Sequence, residues 1–185
     1  KIKVIKTLVN QKNFGSPVVI NSSRTNLGGF QFNTNVLDDL LSHDLSIIFY
    51  LFKNILIKSN CILYKTVKGL PHSIAHLTLL FSKKLLVNLT LSWHSPIKIR
   101  QIDIVGSNKM LTYDGLKEDE SIKLLNKSFA LNNNKEFDYR IGNIVSPNIK
   151  KSPETLISSI LEFEKIVLKK NSNHKYLSIS EKVLK

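Results

Sequence analysis

The stretch Arg24–Leu51, RTNLGGFQFNTNVLDDLLSHDLSIIFYL, decides how the rest of the chain is read. Its second half has helical periodicity. Val36, Leu40, Ile47 and Leu51 recur at helical spacing, and Leu37, Leu41 and Ile48 widen that apolar stripe. Asn33, Thr34 and Asn35 supply residue types that cap a helix N-terminus. Beside the stripe runs a polar line of Asp39, His43, Ser46 and Tyr50. Residues at positions i and i+4, such as Asp39 and His43, lie on one face of a regular helix, one turn apart. A carboxylate so placed fixes the tautomer of an imidazole, and a positioned imidazole is the commonest general base near neutral pH. Ordinary helices with a part-exposed histidine on their rim show the same spacing, so the pair alone leaves both readings open.

Working outward, Gly28-Gly29-Phe30 reads as a flexible turn that lets backbone approach a ligand. Pro17 to Arg24 (PVVINSSR) reads as a strand ending on a cation. A strand end, a glycine turn and a helix carrying Asp and His would converge on one place. Upstream, Ile2, Ile5 and Val9, with Val4 and Leu8, give Lys1 to Asn13 the pattern of a helix, which Gly15 and Pro17 stop.

After Asn60 strands dominate. Ile62–Val67 is a short one, and Ser73–Ser82 follows with Leu77, Leu79 and Phe81 on one face. Lys83-Lys84 makes a tight turn into Leu85–His94, where Leu85, Val87, Leu89, Leu91 and Trp93 alternate with Leu86, Asn88, Thr90 and Ser92. Pro96 breaks that run. Ile97–Val105, Met110–Asp114 and Ser121–Asn126 complete the strands, and Asn132–Lys135 is a polar loop. Val145–Pro153 is another connector. Ser152-Pro153-Glu154 opens a helix with the stripe Leu156, Ile160, Phe163 and Val167, and Leu177–Leu184 is a short closing helix. Short turns between consecutive strands imply antiparallel pairing. The fold class is α+β, a large antiparallel-rich open sheet with helices mainly on one face, in a single domain over residues 1–185. The alternating Leu/Trp face of Leu85–His94 has two readings. It is exposed and drives sheet-to-sheet association, or it lies under the helices and the Asn/Thr/Ser face is wet.

Composition narrows the function. The net charge is +13, yet only Arg24, Arg100 and Arg140 of the 27 basic residues are arginine, and the lysines are scattered singly or in pairs. A nucleic-acid surface concentrates its cations, so no nucleic-acid partner is expected. No apolar run approaches the ~20 residues of a membrane span, and no signal peptide is read at the start. Cys61 is the only cysteine, which excludes an intrachain disulfide and a cysteine-rich metal site, and the expected compartment is the cytoplasm. There is no G-x-G-x-x-G after a strand, no P-loop, no G-x-S-x-G and no H-E-x-x-H. His72, His76, His94 and His174 have no carboxylate at ligand spacing, so no metal is expected.

In order along the chain, Arg24-x-Asn26, the Gly28 turn, Asn35-Val36, Asp39-Leu40, His43-Asp44-Leu45, the LTLLF of Leu77–Phe81, Ser92-Trp93, Lys98-x-Arg100, Val105-Gly106-Ser107 and Tyr113-Asp114 resemble the Gfo/Idh/MocA oxidoreductases, within them the sugar-nucleotide dehydrogenases. The resemblance covers nearly the whole chain and is to the family's C-terminal domain only. It implies an enzyme in which a separate N-terminal Rossmann domain, in cis or in trans, binds NAD or NADP, so that no cofactor-binding residue is expected in this chain. It implies a sugar or sugar-nucleotide substrate and a homo-oligomer built through the sheet face. His43 would be the acid/base for a sugar hydroxyl, with Asp39 orienting it or holding a hydroxyl. Arg24, Asn26 and Asn35 would line the substrate pocket. Asp38 stands where the family places an aromatic residue, and Ser42 where proline is usual. The family's Glu-Lys-Pro lysine lies outside these residues, so the chain alone is expected to be inactive. A non-catalytic oligomerisation module or remnant of the same fold is the alternative.

Overall fold

A computed structural model of the chain describes residues 1–28, 32–131 and 133–147. The N-terminal stripe forms helix α1 (Ile2–Val9), with Ile5 and Val9 buried, and Asn10 closes it by donating its Nδ2 to the Lys6 carbonyl at 2.6 Å. Phe14, fully buried, ends a short 3-10 turn. The chain then enters strand β1 (Pro17–Leu27), three residues longer than the patterned segment.

The expected single helix is two pieces in line. Residues Leu37–Leu41 form a π-helical turn, and helix α2 (Ser42–Leu51) continues from it. Asn35 is the cap: its Oδ1 accepts the backbone N–H of Leu37 at 2.8 Å and of Asp38 at 3.3 Å. The buried line runs Val36, Leu40, Asp44, Ile48 and Leu51, and Ile47 sits at its rim. An acidic residue thus occupies the centre of the apolar stripe.

Strands β2 (Leu56–Tyr64), β3 (Ile74–Phe81), β4 (Leu85–Ser92), β5 (His94–Gly106), β6 (Met110–Asp114), β7 (Ile122–Leu131) and β8 (Phe137–Val145) complete one sheet in the order β2-β3-β4-β1-β5-β6-β7-β8. All neighbours are antiparallel except β1 and β4. β1 inserts between two strands that are consecutive in sequence, so the chain leaves β4, hops over the end of β1 at Trp93 and returns as β5. No local pattern announces a pairing between segments so far apart. Pro96 does not end a strand. It lies within β5, between His94, paired with Leu27, and Ile99, paired with Thr25, where the register shifts and no regular ladder bond is required of it. The strand expected at Ile62–Val67 begins six residues earlier, because both faces of β2 are exposed and show no alternation. β8 has the same character along most of its length and was not expected.

Of the two readings of the sheet, the second holds. Leu85, Val87, Leu89, Leu91 and Trp93 are buried, and with Ile20, Leu77, Leu79, Ile104 and Leu111 they pack against Ile5, Val9, Leu40, Ile48 and Leu51. Four such aliphatic residues on one strand contribute on the order of 6–12 kcal/mol as an upper estimate. The opposite face is mixed. Asn60, Thr78, Asn88, Asn21, Asp103, Thr112 and Lys123 are register partners in one row across it, and Leu80, Leu86, Val19, Val105, Met110 and Leu125 form an apolar row beside them. Asn88 Nδ2 donates to Asn21 Oδ1 at 3.0 Å, and Thr78 Oγ1 to Asn88 Oδ1 at 3.3 Å. The helix opened by Ser152-Pro153-Glu154 and the closing helix Leu177–Leu184 lie outside the described residues, as do Gly29 and Phe30.

Candidate functional site

The C-terminal end of β1, the π turn with the start of α2, and the middle of β5 meet around one cavity of about 230 Å³. Arg24 and Asn26 reach it from β1, Asp39 and His43 from the helix, and Lys98 and Arg100 from β5. Four of the five site residues expected from sequence are therefore brought together. Asn35 is not among the lining residues. Its side chain is spent on the helix cap and on Asp38, whose Oδ2 accepts from Asn35 Nδ2 at 2.6 Å.

Asp44 fixes Arg24. The carboxylate is 1% exposed and needs partners, because an uncompensated buried charge is strongly destabilising. Arg24 Nε donates to its Oδ2 at 2.5 Å and Nη2 to its Oδ1 at 3.3 Å, while Ser22 Oγ donates to Oδ1 at 2.9 Å. The pair ties β1 to α2 directly beneath the cavity.

Asp39 is fixed from the other side. Its Oδ2 accepts the indole Nε1–H of Trp93 at 2.9 Å. Trp93 is itself clamped: its backbone N–H donates to the Ser73 carbonyl at 2.9 Å and its carbonyl accepts from Gly28 at 3.0 Å. A Cβ at residue 28 would lie 2.7 Å from Trp93 Cδ1, so the glycine expected to approach a ligand instead approaches this ring. Among the described residues no hydrogen bond joins Asp39 to His43. The π turn carries Asp39 while His43 belongs to the following α-helix, so the regular i, i+4 stacking expected of them does not apply. His43 is exposed at the cavity rim.

A second cavity of about 160 Å³ adjoins the first across Arg24 and Arg100 and is closed by Tyr113 and Gly115. Burial pushes the Tyr113 phenol above its usual value of 10, with Arg24 opposing, Asp114 adding to the rise and Arg100 opposing. Gly115 donates its N–H to the Arg100 carbonyl at 2.6 Å, an approach a side chain at 115 would crowd, since its Cβ would lie 3.1 Å from that oxygen.

Among the described residues no group of three or more His, Cys, Asp or Glu is placed to hold a metal, and no helix is long and apolar enough to cross a membrane. Among the described residues no glycine-rich cradle for a pyrophosphate adjoins the cavity of about 230 Å³.

The sequence matches no family model, and no curated protein matches it. Among solved structures the chain is similar to UDP-N-acetylglucosamine 3-dehydrogenase GnnA from Acidithiobacillus ferrooxidans, with a TM-score of 0.67 and 16% identity over 92% of this chain and 52% of that one. It is similar to an inositol dehydrogenase homolog from Azotobacter vinelandii complexed with NADH and myo-inositol, with a TM-score of 0.61 and 12% identity over 78% of this chain and 38% of that one. The WlbA dehydrogenase from Bordetella pertussis, in complex with NADH and UDP-GlcNAcA, gives a TM-score of 0.54 and 9% identity over 62% of this chain and 39% of that one. The fold is that of the C-terminal domain of the Gfo/Idh/MocA oxidoreductases.

The chain spans about half the length, 52%, of the first of these dehydrogenases. Within the Gfo/Idh/MocA fold, residue-level reading missed the roles of Asp44, Trp93 and Arg100. Asp44 had a signal, an acid on the apolar stripe between Leu40 and Ile48. Trp93 and Arg100 had none beyond the resemblance, because their places depend on β5 lying beside β1.

Proposed function

We propose that this chain is the substrate side of an NAD(P)-dependent dehydrogenase acting on a hydroxyl of a sugar or sugar nucleotide, and is inactive alone. The observation that carries the reading is the convergence of Arg24, Asn26, Asp39 and His43 on one open cavity, in a fold held by dehydrogenases solved with NADH and sugar-like ligands. His43 takes the hydroxyl proton, Asp39 presents a carboxylate oxygen to the ring hydroxyls, and Arg24 and Asn26 fix the ring. A nicotinamide held by a separate Rossmann domain, in cis or in trans, would supply the acceptor for the hydride leaving the carbon that bears this hydroxyl. The open sheet face, with an apolar row beside its amide and hydroxyl row, is the surface for homo-oligomerisation, and the compartment is the cytoplasm.

A second reading is a non-catalytic oligomerisation module or remnant of the same fold. It is favoured by the structural use of Arg24, Asn35 and Asp39, each of which holds a protein partner. Mass spectrometry of the protein from its native source, joined to an assay of sugar-nucleotide-dependent NAD(P) reduction, separates the two. Peptides carrying a strand, G-x-G-x-x-G and helix, found in the same chain or a stable partner together with turnover, support the first reading. Such a complex without turnover or sugar-nucleotide binding supports the second.

A further inference from the structure

We propose that Trp93 is a positioning residue of the candidate site: its indole N–H holds the Asp39 carboxylate by one oxygen and leaves the other to accept a single ring hydroxyl of the ligand. The proposal rests on the sugar-binding reading above and adds the residue that sets where Asp39 points. Trp93 is 2% exposed, whereas Asp39 lies exposed at the cavity. An indole N–H only donates, and when buried it takes a partner. Here that partner is Asp39 Oδ2, at 2.9 Å. Among the described residues no hydrogen bond reaches Asp39 Oδ1. An exposed aspartate samples several rotamers, and a charge-assisted bond to a fixed donor removes that freedom before a ligand arrives.

The donor is the fixed member of the pair. Besides its backbone bonds to Ser73 and Gly28, the Trp93 ring lies against residue 28, where a Cβ would come within 2.7 Å of Cδ1 and 2.9 Å of Cγ. The turn that bears Asp39 hangs from the carbonyl next to that of Ser73, because Val36 N–H donates to the His72 carbonyl at 3.0 Å. Ser73 is fully buried. Its N–H donates to the Tyr64 carbonyl at 3.0 Å, and its hydroxyl shares a hydrogen bond with Thr66 Oγ1 at 2.8 Å. Two consecutive carbonyls, of His72 and Ser73, thus set both ends of the contact between Trp93 and Asp39. A group held this way is preorganised, and preorganisation is what makes one polar contact count in binding and reaction. It also settles what Asp39 does: with one oxygen on the indole and no bond to His43, the carboxylate serves the ligand and does not orient the imidazole.

The test titrates the full 185-residue chain with myo-inositol and with UDP-N-acetylglucosamine, followed by calorimetry and by the single indole N–H resonance of the isotopically labelled protein. Binding shifts that resonance in the wild-type chain, because the ligand hydroxyl shares the carboxylate with the indole. Trp93→Phe keeps an aromatic ring in the core and the circular dichroism spectrum, and weakens binding about tenfold, the scale of a charge-assisted bond. Asp39→Ala weakens binding at least as much and moves the indole resonance. Adding Trp93→Phe to Asp39→Ala costs nothing further, since the indole acts through the carboxylate. Ile48→Val, which loosens the core outside the cavity, leaves affinity as it was. Affinity retained in Trp93→Phe overturns the positioning role and leaves the sugar reading standing. A Trp93→Phe loss that adds in full to that of Asp39→Ala, or that Ile48→Val reproduces, overturns it too. An indole resonance that ignores bound ligand, or that stays in place in Asp39→Ala, overturns it whether or not Trp93→Phe folds. A wild-type chain that binds neither ligand overturns the sugar reading, and the proposal with it.

Discussion

Arg24 and Asp44 join strand to helix beneath the candidate site, Nε to Oδ2 at 2.5 Å, with the carboxylate side chain only 2% exposed and the guanidinium 15%. One acid in the middle of a buried stripe thus holds the cation that opens the cavity. Removing one partner of such a pair leaves an uncompensated buried charge. Asp44→Asn is therefore expected to destabilise the fold by about 3–5 kcal/mol, read as a shift of the urea midpoint. Replacing both partners, Arg24→Met with Asp44→Leu, is expected to cost less than either single change. A loss below about 1 kcal/mol in Asp44→Asn would place the pair among solvent-screened ion pairs and remove it as an anchor.

Trp93 is the chain's sole tryptophan, so its fluorescence reports the Asp39 contact directly. The wild-type emission is expected to be that of a buried indole, since Trp93 is buried. Gly28→Ala drives a methyl against the ring and is expected to destabilise by about 1–3 kcal/mol, the usual range for overpacking, and to shift the emission. Asp39→Ala is expected to change the emission with a smaller loss of stability. An unchanged spectrum in both variants would contradict the clamp.

The turn between β3 and β4 carries Lys83 at φ 61° and Lys84 at φ 60°. Left-handed backbone costs an ordinary residue about 1–2 kcal/mol, and Asn and Gly tolerate it best. Lys83→Asn with Lys84→Gly is expected to raise stability by up to about 1 kcal/mol, measured as a higher urea midpoint. A lower midpoint would mean that the lysine side chains themselves hold the turn.

Tyr113 sets a pH dependence. Burial raises its pKa above the unfolded value of 10, so the folded state holds the phenolic proton more tightly than the unfolded chain. Its contribution is fully present below pH 10 and is lost as pH rises through the folded pKa. Wild-type protein is expected to lose stability faster than Tyr113→Phe above pH 10. Parallel curves for the two proteins would contradict the burial account.

What the sequence displayed was periodicity and order. Alternation in Leu85–Trp93 and the stripe from Val36 to Leu51 were legible because core burial imposes them locally. The parallel β1/β4 pair was not, since its register partners, such as Val19 and Leu86, are 67 residues apart with no local pattern. β2 and β8 were missed or misplaced because strands exposed on both faces show no alternation. At the candidate cavity, Asp39 and His43 were legible from their spacing on the helix and Arg24 and Asn26 from the ordered resemblance. Asn35 fell away from the cavity because its cap-forming chemistry is satisfied by its own helix, and the opposition of Arg100 to Arg24 became visible only with the register.

The central claim is that His43 is the acid/base of a sugar-hydroxyl dehydrogenase. The direct test is turnover of the His43→Ala variant with the nicotinamide-binding domain present, in cis or supplied in trans, at saturating substrate. The account predicts that kcat falls by ~10²–10⁴, the usual share of a positioned acid/base, with KM little changed. Wild-type turnover in His43→Ala would contradict it.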